Sequence, residues 1–267
     1  MALQLEKTMS GRKQGRVALI TGGAGGIGFA TAERLARDGA AIAICDLDGA
    51  AAQSAAARVN AGHGVPARGY QTNVGDPDAV EQLVSEVVRE LGSLDILVNN
   101  AGVTRDNLVH KMSLENWDDI MFVHLRGAFL CSRTAQRVMV ERGWGRIVNL
   151  SSTSALGNRG QVNYSTAKAG LQGFTRSLAL ELGRFGVTVN CVAPGFIDTE
   201  MTRKTAIRIG KDPEVYKAER AKGIAVGRVG VPADVAAVIA FLADDEASYV
   251  SGQVIYVSGG PETRRGG

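Results

Sequence analysis

The stretch Val17-Ala18-Leu19-Ile20-Thr21-Gly22-Gly23-Ala24-Gly25-Gly26-Ile27-Gly28 passes from an apolar strand pattern, through a glycine-rich turn, into a helical pattern. A dinucleotide's pyrophosphate needs such a turn: N–H groups at a helix start face the anion, and glycines let the main chain bend and approach where a Cβ would clash. A second apolar run, Ala40 to Cys45, ends at Asp46, about as far along as the acidic residue that meets a ribose. Working outward, short β-rich runs alternate with longer helical stretches. Arg16–Thr21 precedes a helix from Gly26, Ala41–Cys45 a helix from Gly49, and Val65–Thr72 a helix from Pro77. Then come Leu94–Val98, a long fourth helix over Leu114–Glu141, Arg146–Leu150, a helix near Asn163–Gly183, Val187–Val192, a helix over Pro232–Ala243 and Gln253–Val257. The pattern predicts an α/β fold with a doubly wound, seven-stranded parallel sheet and helices on both faces. Thr199–Gly227 shows no strand period and interrupts the last crossover, where a substrate lid would sit.

With 267 residues, 45% of them hydrophobic, and no linker or repeat, the chain reads as a single domain over residues 15–260. Flexible tails are expected at 1–14 and 261–267. A net charge of +3 from 30 interspersed basic and 27 acidic residues, with 5% aromatics, argues against nucleic acid. Cys45, Cys131 and Cys191 lack metal spacing and read as reduced core residues; no metal is expected. Met1 to Gln14 lacks a signal-peptide core, and no apolar run is long enough to span a bilayer, so a cytoplasmic protein without membrane attachment is expected. His63 and His110 fall in predicted loops and read as surface residues.

Tyr164 and Lys168 lie four apart at a helix start and share a face. Just upstream, Gly145-Arg146-Ile147-Val148-Asn149-Leu150 ends in Ser151-Ser152, at a carboxyl strand end where open α/β sheets bind ligands. Together with Thr21–Gly28, Asn99-Asn100-Ala101-Gly102 and Pro194-Gly195, these five ordered motifs resemble the short-chain dehydrogenase/reductase family, with its Rossmann-type fold, over essentially residues 15–260. The resemblance implies that Tyr164 is the proton donor and acceptor, that a serine polarises the reacting C–O group, and that Lys168 holds the nicotinamide ribose. A phenol with a reference pKa near 10 is a poor base at neutrality, and an adjacent ammonium and the oxidised nicotinamide are expected to favour phenolate. Counting back the family's usual thirteen residues from Tyr164 gives Ser151; aligning the strand gives Ser152. Ser152 is favoured because a rigid strand keeps register, and alternation sends the two serines to opposite faces. Where family members usually carry an Asn in the fourth helix that helps hold a proton-relay water, this chain has His124. An imidazole there is expected either to titrate near neutrality or to be hydrogen-bonded for structure.

Thr21, Gly22, Gly26, Ile27 and Gly28 are expected around the pyrophosphate. Asp46, with Leu47 beside it, would accept bonds from the ribose hydroxyls and repel a 2′-phosphate, and no Arg or Lys lies in the glycine turn, so NAD(H) is favoured over NADP(H). Resemblance assigns Asn73 and Val74 to adenine. It assigns Asn100, Ala101, Gly102, Pro194, Gly195, Ile197 and Thr199, with Tyr164 and Lys168, to the ribose and nicotinamide side. Asn99 to Leu108, Lys111-Met112, Trp117-Asp118 and Gly160 to Tyr164 look like the 3-oxoacyl-acyl-carrier-protein reductase branch, which commonly uses NADPH through a basic residue where this chain has Gly25. His124-Leu125-Arg126-Gly127 is similar to NAD-linked (R)-3-hydroxyacyl-CoA dehydrogenases. A thioester substrate on CoA or acyl carrier protein is the resulting expectation; another secondary alcohol, a steroid, a polyol or a small ketone, would need a different lid, and a non-catalytic dinucleotide-binding redox sensor ranks below an enzyme because Tyr164, Lys168 and a serine are all present. The lid's Arg203, Lys204, Arg208, Lys211, Lys217, Arg220 and Lys222 outnumber Glu200, Asp212, Glu214 and Glu219, a positive excess that would attract phosphate-bearing carriers or is simply the solvated face of two short helices. Resemblance also implies a homotetramer, built on the fourth and fifth helices and on the final strand and helix.

Overall fold

Seven strands, β1 (Val17–Thr21), β2 (Ala41–Asp46), β3 (Ala67–Gln71), β4 (Ile96–Asn99), β5 (Gly145–Leu150), β6 (Val187–Pro194) and β7 (Val254–Val257), form one sheet in the computed structural model, which describes residues 13–261. All pair in parallel, in the order β3-β2-β1-β4-β5-β6-β7. The crossovers carry helices α1 (Gly26–Arg37), α2 (Gly49–His63), α3 (Pro77–Leu91), α4 (Leu114–Ile120), α5 (Gly127–Arg142), α6 (Val162–Leu182), α7 (Glu200–Arg208), α8 (Pro213–Ala221) and α9 (Pro232–Leu242). Strand alternation divides the core. Ala18 and Ile20 pack with Leu35, Val59 and Ile239 on one face, Val17 and Leu19 with Leu83, Val87 and Met139 on the other. β1, β4, β5 and β6 are covered on both sides and buried along their whole length; β1 and β4 read as nearly continuous apolar runs, whereas β5 and β6 also bury Arg146, Asn149, Thr188 and Asn190.

Local chemistry sets most helix boundaries. Asp48 accepts the N–H of Ala51 to start α2, and Asp76 accepts those of Asp78 and Ala79 ahead of Pro77 to start α3. Gly64 and Gly92 end these helices in the left-handed conformation. The strand read over Val65–Thr72 is shorter, Ala67–Gln71, and the final helix ends at Leu242. His63 is the last residue of α2 rather than a loop residue, and His110 sits exposed in a short 3-10 turn, Val109–Lys111.

The expected continuous helix over Leu114–Glu141 is interrupted. Met121–Arg126 is a π-helical turn between α4 and α5. The wider turn carries His124 inward, where its Nε2 lies 3.1 Å from the Val103 N and 2.9 Å from the Val103 O, while the Arg126 Nε donates to the Gly75 carbonyl (2.9 Å).

The tails expected at 1–14 and 261–267 lie almost wholly outside the described residues. Lys13, at the inner end of the first, is buried: its backbone N–H donates to the Asp38 carbonyl (2.8 Å), and its ammonium stands 2.9 Å from Asp244 and 3.5 Å from Asp38.

Strand order reverses between β1 and β4. Their carboxyl ends open a crevice; the glycine turn, Asp46, Asn73, Asn100, Ser152 and Gly195 lie at strand ends on that edge, and Tyr164, Lys168 and His124 reach it from helices.

Candidate active site

Gly22 and Gly26 in the turn after β1 adopt φ of +59° and +54°, a region costly for side chains. At Gly28 the constraint is space: a Cβ would lie 2.4 Å from the Gly22 carbonyl oxygen and 2.6 Å from the Asn100 amide nitrogen. The N-cap of α1, Gly25, supplies no side-chain acceptor, so the first N–H groups of this helix face the crevice without one. That is the donor set a pyrophosphate takes. Thr21 Oγ1 accepts the N–H groups of Asn100 and Ala101 (both 3.0 Å), and the Asn100 amide donates back to the Thr21 and Gly22 carbonyls (3.0 and 2.9 Å). Asn100 thus clamps the glycine turn from β4.

Asp46 ends β2 with one carboxylate oxygen on the Ala24 N–H and the other on that of Asp48 (3.3 Å each). Asp48, not Asp46, caps α2. A cavity of about 430 Å³ runs from this carboxylate past Leu47, Asn73, Val74, Ala101 and Gly102 to Gly195, Ile197 and Thr199, with Ser152, Tyr164, Lys168 and His124 also on its walls. Gly28 and Thr21 are buried behind it.

The two serines separate as strand alternation requires. Ser151 is buried and donates to the Lys168 carbonyl (2.7 Å), whereas the Ser152 hydroxyl is bonded to that of Tyr164 and accepts the Ser154 N–H (3.1 Å). The Lys168 ammonium donates to the Leu150 carbonyl (2.6 Å) and lies 5.4 Å from the centre of the Tyr164 ring. His124 meets that ring edge to face at 5.2 Å. Asn163, fully buried, donates to the carbonyls of Arg105 and Asn116 and so ties the loop after β4 to the start of α6.

Electrostatics correct one expectation, that for His124. Desolvation pushes Tyr164 up to about 12, with the Ser152 hydrogen bond opposing and the Asp106 carboxylate adding. Burial lowers Lys168 to about 8. Burial and the Lys168 charge lower His124 to about 3, so it stays a neutral imidazole and does not titrate near neutrality. Its Nδ1 is buried with no hydrogen-bond partner among the described residues.

A second cavity, about 990 Å³, adjoins the first and shares Ser152, Tyr164, Gly195, Met201 and Thr202 with it. Its walls include residues that sequence reasoning did not assign to the site: Asp106, Gln161, Phe196 and Tyr216. Gln161 donates to Asp106 (3.1 Å) and accepts from Ser154 (3.0 Å). The lid expected over Thr199–Gly227 consists of α7 and α8, the first begun by reciprocal bonds between Thr199 and Thr202. Its positive excess is largely neutralised. Arg203 and Lys217 share Asp198, which they hold down at about 2, while Lys204 pairs with Glu200, Lys211 with Glu219 and Arg208 with Asp106. Two of these acids lie before the segment in sequence, beyond a count of charges within it.

Comparison with known proteins gives a consistent result. A family model described as Enoyl-(Acyl carrier protein) reductase matches residues 22–262. The 3-oxoacyl-[acyl-carrier-protein] reductase FabG of Aquifex aeolicus is 45% identical, covering 92% of this chain and 97% of its own. The short-chain reductase protein NovJ of Streptomyces niveus is 44% identical (92% and 94% covered), as is the (2S)-[(R)-hydroxy(phenyl)methyl]succinyl-CoA dehydrogenase subunit BbsD of Thauera aromatica (92% and 96%). Among the described residues no helix is long and apolar enough to cross a membrane, and no metal-ligating cluster occurs.

Proposed function

Because the chain belongs to the short-chain dehydrogenase/reductase family of oxidoreductases, which act on CH–OH and carbonyl groups with a nicotinamide dinucleotide, we propose that it interconverts 3-oxoacyl and 3-hydroxyacyl thioesters using NAD(H). The observation that carries this reading is the meeting of two cavities at Ser152 and Tyr164: one has a dinucleotide's donors, the other has room for an acyl group and its carrier. The relatives support the substrate class, since two of the three are named for acyl-carrier or CoA thioesters.

In this reading Gly22, Gly26 and Ile27 hold the pyrophosphate, with Gly28 and Thr21 supporting the turn from behind, Asp46 and Leu47 hold the adenosine ribose, and Asn73 and Val74 the adenine. Ala101, Gly102, Pro194, Gly195, Ile197, Thr199 and Lys168 hold the nicotinamide end, with Asn100 bracing the turn. The bound cofactor supplies or accepts a hydride. Ser152 donates a hydrogen bond to the substrate carbonyl oxygen, and Tyr164 Oη delivers the proton that this oxygen needs as it becomes an alcohol. A phenol pushed up to about 12 is already protonated for that task. His124, neutral throughout, orders the Gly102-Val103 turn and packs against the tyrosine ring.

A screen following NADH absorbance should show acetoacetyl-CoA and medium-chain 3-oxoacyl thioesters reduced faster than steroids, polyol-derived ketones or simple ketones; a steroid or sugar ketone turned over fastest would overturn the thioester assignment. In the same assay NADH should outperform NADPH. Asp46→Asn, which keeps an acceptor for the Ala24 N–H but removes the charge facing a 2′-phosphate, should narrow the ratio of kcat/KM values at least about tenfold. Wild-type preference for NADPH would refute the role of Asp46.

The proposal includes a homotetramer in a reducing, cytoplasmic setting, the latter in keeping with three buried free cysteines. Exposed Phe122, Phe129 and Leu180 lie on the α4–α6 side, and exposed Phe241 and Tyr249 lie near the edge strand β7. Light scattering at micromolar concentration should give four times the 28.0 kDa chain mass, and a monomer mass would exclude the assembly.

A further inference from the structure

The 990 Å³ cavity carries a charge pattern that catalysis at Tyr164 does not call for. Three arginines, Arg159, Arg208 and Arg220, line it against a single carboxylate, Asp106, which Arg208 already occupies. The other cations of α7, α8 and the link between them are also paired, and Arg220 has no acid partner among the described residues. Arg220 is held instead by aromatic rings. Its guanidinium carbon stands 5.2 Å from the Phe196 ring centre and 5.9 Å from that of Tyr216, and the two rings meet edge to face at 5.5 Å. Ring contacts position a guanidinium without cancelling its charge or consuming its N–H donors. Arg159, from the loop between Leu156 and α6, makes no ion pair or side-chain hydrogen bond among the described residues.

Resting on the thioester reading, we propose that Arg220, seconded by Arg159, anchors an oxyanion carried by the substrate away from its reacting carbonyl. A planar guanidinium fork suits a group with two or more oxygens, hence a carboxylate or phosphate. Either source has the same chemistry: a phosphate on the carrier arm, or a carboxylate at the far end of the acyl chain. The anchored class is therefore anionic 3-oxoacyl compounds, with Phe196 and Tyr216 as the positioning residues for the arginine.

Matched substrate pairs test this. Acetoacetyl-pantetheine and its 4′-phosphate differ by one phosphate, and ethyl 3-oxohexanoate and monoethyl 3-oxoadipate by one terminal carboxylate. In the wild-type enzyme one pair should show kcat/KM at least tenfold higher for the anionic member, mainly through KM, and the advantage should shrink as salt rises. Arg220→Gln should remove most of it, Arg220→Lys should restore part, and both should bind NADH as wild type does, which reports an intact fold. The pair that responds identifies the source of the anion. No anionic advantage in either pair, or an equal effect of Arg220→Gln on charged and neutral members, overturns the anchor. Reduction of both ethyl esters but neither thioester would instead overturn the thioester reading, and the ester pair would still decide the anchor.

Discussion

Tyr164→Phe is expected to lower kcat for carbonyl reduction by about a hundredfold or more while leaving NADH affinity nearly unchanged. Phe keeps the ring that His124 meets edge to face and removes the hydroxyl that Ser152 engages. The loss is that of positioned proton transfer, typically a factor of about 10²–10⁴. Single-turnover reduction with NADH fluorescence titration checks both parts, and a variant keeping more than about a tenth of wild-type kcat would remove Tyr164 as the proton donor. The wild-type pH profile belongs to the same experiment. With Tyr164 at about 12 and His124 at about 3, Lys168, at about 8, is the catalytic-site group that changes charge in the assay range. Its ammonium is present below pH 8 and lost above, so kcat/KM for NADH, which reports the free enzyme, should be level below pH 7 and fall above about 8. Lys168→Arg should move that fall beyond pH 10. An inflection near 6.5 would mean that His124 titrates after all.

Gly28→Ala should be the most damaging single methyl in the cofactor cleft. The added carbon would press on the Gly22 carbonyl, the Asn100 amide and the Gly23 Cα at 2.4, 2.6 and 2.9 Å. None of the three is free to yield: Asn100 is bonded to Thr21 and Gly22, and the glycine backbone is the turn itself. Relief must come from opening the turn, which withdraws the N–H groups that face the pyrophosphate. Overpacking of this kind costs about 1–3 kcal/mol of stability. At least a tenfold rise in the NADH dissociation constant is expected with it, read by titration alongside thermal melting. Gly62→Ala, in a helix with open space around it, is the control and should be neutral or slightly stabilising. Equal behaviour of the two variants would mean that the turn is looser than its contacts indicate.

The parts of this molecule legible in the sequence are those fixed by short-range chemistry. The turn after β1 is written in glycines because two residues there need positive φ and one has no space for a side chain. Strand alternation was enough to separate Ser151 from Ser152, while which of them meets Tyr164 rested on the register of the strand. Long-range packing was not legible. Nothing between Leu114 and Glu141 marks a π-helical turn, and the contact it accompanies, His124 against Val103, reaches 21 residues back along the chain. The pairing of the lid's charges was hidden for the same reason: Arg208 finds Asp106 across 102 residues of sequence.

The buried ion pairs of Lys13 have a practical consequence. With its ammonium between Asp38 and Asp244 and its amide on the Asp38 carbonyl, the chain is fastened just before β1 begins. The chemistry lies at the other end of that strand, five residues away, or about 17 Å at 3.3 Å per residue. The anchoring point of the chain ahead of the sheet is therefore at the edge opposite the mouth of the cleft. Trimming the chain past residue 13 would leave two inward-facing carboxylates short of a shared cation.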